Sequence, residues 1–131
     1  MNDRKKNLLK IRPEIKKNKP SIHISEEEIF QNNTLRPILK FQNTILIELF
    51  IDYVKKHKKL FFELNNKLKF EFIENIINKD QKFKALTKGL VIGYFTMDEF
   101  KFYLLRTNNI NKRLYSLLSS RLKDQIKQLD F

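Results

Sequence analysis

An all-α fold is what the sequence predicts: a compact bundle of five or six helices with a kinked central helix, residues 25–131, preceded by a basic and poorly structured N-terminal arm, residues 1–24. Three observations carry that expectation. Residues 30–57, FQNNTLRPILKFQNTILIELFIDYVKKH, lay their apolar and polar residues on one continuous helical surface. Two stretches, SEEE from Ser25 and TMDE from Thr96, set a hydroxyl three residues ahead of a glutamate, which is how a reciprocally capped helix begins. The C-terminal stretch carries Ile110, Leu114, Leu117, Leu118, Leu122, Ile126 and Leu129 at three- and four-residue spacing, with Lys112, Arg113, Arg121, Lys123 and Lys127 off that stripe.

Residues 1–24 hold eight cations, from Arg4 to Lys19, against Asp3 and Glu14, a net +6 that is half of the chain's +12. Pro13 and Pro20 remove amide donors and restrict the residues before them, so no helix should run through either. The arm reads as a phosphate anchor or as a solvated tail. Leu8, Leu9, Ile11 and Ile15 suggest that part of it packs on the body.

A helix should start at residue 26, with Ser25 capping it, Glu28 returning the bond, and Glu26–Glu28 facing the positive end of the helix dipole. Pro37 cannot donate to the carbonyl of Asn33, so the helix should kink or restart there, with Thr34 as a possible new cap. Beyond it Leu35, Ile38, Leu39, Phe41, Ile45, Leu46, Leu49, Phe50, Tyr53 and Val54 form a stripe broad enough to be buried on more than one side. The phrase Phe-Gln-Asn occurs at 30–32 and again at 41–43, about three helical turns on, so each Phe and each amide should recur on its own face.

The lysines around His57 close this helix where its dipole favours cations. Leu60 to Leu64 is a connector, and Asn65 or Asn66 starts a helix through Ile77. Asp80 caps the next, DQKFKALTKGLVIGYF, in which Gly89 and Gly93 lie four residues apart on one face and suit close helix packing. Residues 90–95 are β-branched and aromatic enough for a strand, but a lone strand would have no partner. Thr96 opens a short helix through Leu105, Thr107 to Asn109 breaks it, and the last helix docks as an amphipathic lid whose seam also suits self-association.

Length and composition bound the function. A chain of 131 residues is expected to be one domain burying roughly two thirds of its unfolded surface. Without cysteine it has no disulfide, thiolate metal site or cysteine nucleophile, and the cytoplasm fits. The basic start lacks the apolar core of a signal peptide, and no apolar run approaches the about 20 residues of a membrane span. The charge of +12 calls for an acidic partner, yet lysine outnumbers arginine 21 to 6 beside abundant Asn, Ile and Phe, so A/T-rich codons also account for the lysine excess.

Catalytic and metal chemistry find little purchase. His23 and His57 lie apart, and no HExxH or ExxH pair exists to complete a centre with Glu48 and Asp52 or with Glu71 and Glu74. No phosphate-cradling glycine loop or nucleophile elbow is present. No cofactor is expected. The polar residues Gln31, Asn32, Arg36, Lys40, Gln42 and Asn43 around Pro37 must find partners on so apolar a helix; they form either a structural network or the lining of a ligand cleft. Lys55, Lys56, Lys58 and Lys59 are the densest basic cluster and the candidate phosphate contact.

The phrases FQNNTLRPILKFQN, FIENIINKDQKF and KGLVIGYFT, with Glu99 and the helix bearing Arg113 and Arg121, resemble a family of short uncharacterised bacterial all-helical proteins, some labelled glyoxalase by automatic transfer. The resemblance spans nearly the whole chain and brings no catalytic residues with it. A metal-dependent glyoxalase would imply paired βαβββ modules and His/Glu ligands, which these residues do not supply. The expectation is therefore a cytoplasmic binding or regulatory module without catalysis, monomeric or homodimeric, with an unknown protein partner. Its alternative is a nucleic-acid-binding protein that uses the arm and the Lys55–Lys59 cluster, with an enzyme third.

Overall fold

A computed structural model describes residues 3–13, 24–57 and 59–126. Among these residues the chain is helical and has no strand, and no helix is long and apolar enough to cross a membrane. Residues 14–23, with Lys16, Lys17, Lys19, Pro20 and His23, lie outside the described residues, as do Lys58 and Leu129.

The arm is not featureless. Arg4–Ile11 form α1, which stops just before Pro13 as the proline's restriction on its predecessor demands. This helix adds to the five or six expected, and it corrects the unstructured arm for residues 3–13. It is not held by its leucines, since Leu9 and Ile11 remain 45% and 47% exposed. Its arginines hold it instead, as described below.

α2 (Glu26–Phe30) starts where the sequence places it, with Ser25 Oγ accepting from the Glu28 amide at 3.1 Å. A π-helical turn, Gln31–Leu35, follows and leads directly into α3 (Arg36–Phe41) and, past Gln42, α4 (Asn43–His57). In that turn the Arg36 amide reaches back five residues to the Gln31 carbonyl. The wider ring accommodates Pro37, whose missing amide and bulky ring an α-helical ladder cannot. Thr34 is therefore no cap: it lies inside the turn, buried, and its hydroxyl donates to Glu99 at 2.7 Å.

The π turn also breaks the expected recurrence of the repeated phrase. Phe30 is buried at 7% exposure, while Phe41, eleven residues on, is 42% exposed. One i→i+5 turn between them delays the rotation and puts the copies on different faces. For the same reason the apolar stripe is narrower than expected, and Ile45 is 52% exposed.

A 3₁₀ turn (Lys59–Glu63) leads to α5 (Asn66–Lys79), capped by Asn65, and α6 (Gln81–Ile92), capped by Asp80. α6 ends at Ile92, three residues short of the expected Phe95, and residues 90–95 do not form a strand. Thr96 and Glu99 complete the full capping box of α7 (Met97–Leu105). α8 (Thr107–Ile126) packs on α5, α6, α7 and the π turn. Its seam, Ile110, Leu114, Leu118, Leu122 and Ile126, is buried in the chain's own core and so is not free for a coiled coil.

Two aromatic clusters fill that core. Phe50 meets Phe61 and Phe83 edge-on, with ring centroids 5.5 and 6.3 Å apart, and Phe30 bridges Phe95 and Phe102 at 5.4 and 5.0 Å. Such edge-on and offset contacts add to the burial of area alone.

Gly89 and Gly93 do not pack another helix. A Cβ on Gly89 would meet nothing within 4 Å, and one on Gly93 would come 3.2 Å from the Gly89 carbonyl of its own helix. Both positions face outward, because the buried stripe of α6 runs through Phe83, Thr87 and Val91.

Candidate functional site

The six arginines divide into two sets, and the division locates the site. Arg4, Arg12 and Arg106 are committed to holding elements together. Arg12 forks onto the Glu99 carboxylate at 2.7 and 2.8 Å and onto the Tyr94 carbonyl at 3.0 Å. Arg4 bonds the carbonyls of Gly93 and Phe95 at 2.9 and 3.0 Å, so the two clamp α1 to the α6–α7 junction. Arg106 meets Glu26 at 2.6 Å and Glu27 at 3.3 Å, tying the α7–α8 turn to the start of α2.

Glu99 is the centre of the first set. It accepts from Arg12, from the Thr34 hydroxyl and from the Thr96 amide, the last at 2.8 Å. Burial pushes its pKa up, but the hydrogen bonds from Arg12, Thr96 and Thr34, with the guanidinium charge, outweigh burial and hold it below the ordinary carboxylate value.

Arg36, Arg113 and Arg121 form the second set, and each is positioned by a neutral amide oxygen. Arg36 donates to Asn32 at 3.0 Å, Arg113 to Gln31 at 2.9 Å and Arg121 to Asn43 at 3.2 Å. Asn43 in turn exchanges two bonds with Gln125, at 2.7 and 2.6 Å, which fixes its oxygen toward Arg121. Among the described residues no carboxylate pairs with any of the three. Burial, followed by the neighbouring charge of Arg36, lowers the pKa of Arg121. Three cations are thus gathered and oriented by neutral partners.

They line two depressions, of about 430 and 830 Å³, between α8 and the run from α2 to α4, with Arg36 common to both. A third, of about 600 Å³, lies on the other flank of α8 beside α5 and α6. Ser120 borders all three, and Ser116 borders two. Because both are small and lie on the exposed ridge of α8, the ridge is low and the depressions join into one shallow saddle. Lys112 and Lys84 add charge on its borders. Three carboxylates border the saddle: Glu74 pairs with Lys123, Glu27 shares Arg106 with Glu26, and Asp124 lies in the depression of Arg36 and Arg121.

The structure separates the polar residues expected to act together. Gln31, Asn32, Arg36 and Asn43 belong to the saddle. Gln42, only 4% exposed, turns the other way and donates to the Leu90 carbonyl at 2.9 Å, joining the trunk to α6. Lys40 is exposed and lines none of these depressions. Gln31 and Gln42 are thus both paired.

Of the basic cluster, Lys55 and Lys56 are exposed at the end of α4, and Lys56 pairs with Asp52 at 3.0 Å. Lys58 and the side chains of His57 and Lys59 lie outside the described residues. Among the described residues, no three of His, Cys, Asp and Glu gather as a metal would require. Sequence reasoning missed Arg113 and Arg121 as site residues; the available signal was arginine itself, scarce in a lysine-rich chain and placed twice on one helix.

Compared with protein-family models, with curated proteins and with solved structures, the chain matches none.

Proposed function

We propose that this protein is a binding module acting without catalysis, and that it takes its partner on the arginine saddle beside α8. The observation that carries the reading is the placement of Arg36, Arg113 and Arg121 on amide oxygens, with no carboxylate pair among the described residues. The arginines that clamp elements elsewhere meet carboxylates, as Arg12 and Arg106 do, or backbone carbonyls, as Arg4 does, whereas these three meet side-chain amide oxygens. Amide partners orient a guanidinium and leave its charge available to an incoming anion. The module works in the cytoplasm as a monomer or homodimer, and the resemblance to short bacterial helical proteins fits a role with no active site.

Retention on immobilised heparin, a generic polyanion, tests the reading. The wild-type chain is expected to elute at clearly higher salt than a variant carrying Arg36→Gln, Arg113→Gln and Arg121→Gln. Equal elution, with both proteins folded by circular dichroism, would place the binding face elsewhere.

A further inference from the structure

Four features of the saddle specify its occupant beyond "anionic". The first is composition. Arginine, serine, asparagine and glutamine side chains are among the groups that contact phosphate and sugar oxygens in nucleic-acid complexes, and they make up most of this lining, with Glu27, Asp124, Lys112, Leu39 and Leu117 as the rest. Serine hydroxyls act as donors or acceptors, so Ser116 and Ser120 suit phosphate oxygens and ribose hydroxyls alike.

Extent is the second. Arg113 and Arg121 are eight residues apart on one helix, which at 1.5 Å per residue is about 12 Å. That is roughly three base-pair steps of a duplex at 3.4 Å per step. A single phosphate calls for cations converging on one point; here Arg113 and Arg121 border different depressions, with Arg36 common to both.

Third, the saddle lacks what a protein partner needs. Protein interfaces draw their energy from a few aromatic or aliphatic anchors seated in desolvated pockets. None of the exposed large apolar side chains, Phe41, Ile45 and Leu105 among them, borders any of the three depressions. Of the apolar side chains that do border them, Leu39 and Ile77 are already buried and Leu117 is half-buried against the core.

Fourth, the saddle carries no stacking platform. Among the described residues Tyr115 is the one aromatic on its border, and it is engaged by its hydroxyl with the Lys84 carbonyl and by its ring face with the Lys84 ammonium. Single-strand binders rely on free aromatic faces for successive bases. Without one, contacts run to the backbone.

From these four we infer that the saddle of Arg36, Arg113 and Arg121 binds the phosphodiester backbone of double-stranded nucleic acid, independently of base sequence. This rests on the reading of the saddle as the binding face and moves the phosphate contact away from both Lys55–Lys59 and the arm. Arg4 and Arg12 of the arm are spent on the α6–α7 junction.

Fluorescence anisotropy with a labelled 20-base-pair DNA duplex, the matching RNA duplex and one single strand, each over a salt series, tests it with the full chain. At least one duplex is expected to bind at about 50 mM salt, with affinity falling linearly in log salt and the single strand binding more weakly. Whichever duplex binds more tightly distinguishes an A-form from a B-form target. The triple Arg→Gln variant is expected to lose about tenfold or more and to lower the salt slope by about three, while Lys55→Gln with Lys56→Gln stays within about threefold. Should the triple variant fail to fold, Ser116→Glu with Ser120→Glu sets carboxylates on the ridge instead and is expected to cost about tenfold.

No binding of either duplex, single-strand binding as tight as duplex, or equal losses in the arginine and lysine variants would overturn the inference. So would displacement of the duplex by polyglutamate at equal charge concentration. That last result, if lost in the arginine variant, would leave the saddle as binding face and assign it to an acidic protein.

Discussion

Arg12 and Arg121 are the same residue type in two electrostatic settings. Arg12 is one tenth exposed, forked on a carboxylate that two other groups also hold, and joined to a backbone carbonyl. Arg121 is half-buried on a single amide oxygen beside another guanidinium. The first arrangement satisfies a charge; the second presents one. The difference separates what stabilises the molecule from what is left for a partner, and single substitutions test whether the separation holds.

Glu99→Ala has the largest expected effect. It strands a desolvated Arg12 and removes the acceptor of Thr34 and Thr96, so a loss of about 3–5 kcal/mol by urea unfolding follows from breaking a buried pair. A loss under about 1 kcal/mol would erase the contrast with the saddle.

The same carboxylate sets a pH dependence. Its folded pKa is depressed, so its contribution is fully present above the unfolded carboxyl value and is lost as pH falls through the folded one. Unfolding midpoints measured from pH 6 down to pH 2 should therefore fall more steeply for wild type than for Glu99→Gln. Parallel curves would show that Glu99 is not the linked group.

Gln42→Leu should cost about 1–3 kcal/mol, since it deprives the buried Leu90 carbonyl of its side-chain donor without opening a cavity. This distinguishes the amide that joins α6 to the trunk from Gln31 and Asn43, whose task is to orient arginines. Gly89→Ala should raise stability by about 0.5–1 kcal/mol, because the site is helical, open and at an ordinary backbone angle. A loss there would restore the close packing that the sequence suggests.

Arg121→Gln is expected to change stability least, within about 0.5 kcal/mol, because relief of repulsion with Arg36 offsets the lost bond to Asn43. A cost above about 1 kcal/mol would make the saddle structural and remove its claim to a ligand.

Local signals were read well in this chain. Ser25, Asn65, Asp80 and Thr96 cap the helices that their types and positions announce, because capping involves only neighbours within three residues. The stripe of α8 was equally legible. Glycine spacing misled, because it says which residues share a face but not whether anything approaches that face; at Gly89 nothing does. The seam of α8 misled in the same way, since its partner is the chain's own core.

The sequence by itself determined the all-helical class, the caps at Ser25, Asn65, Asp80 and Thr96 and the stripe of α8, all consequences of short-range geometry. Which arginines meet carboxylates was decided only by the tertiary structure. The π turn at Gln31–Leu35 rotates the two copies of Phe-Gln-Asn out of phase, so Gln31 and Asn43 reach α8 while Gln42 reaches α6. Arg12 and Glu99 are 87 residues apart, and Arg121 and Asn43 are 78 apart. No local pattern encodes such pairings, because they depend on how whole helices rotate and pack.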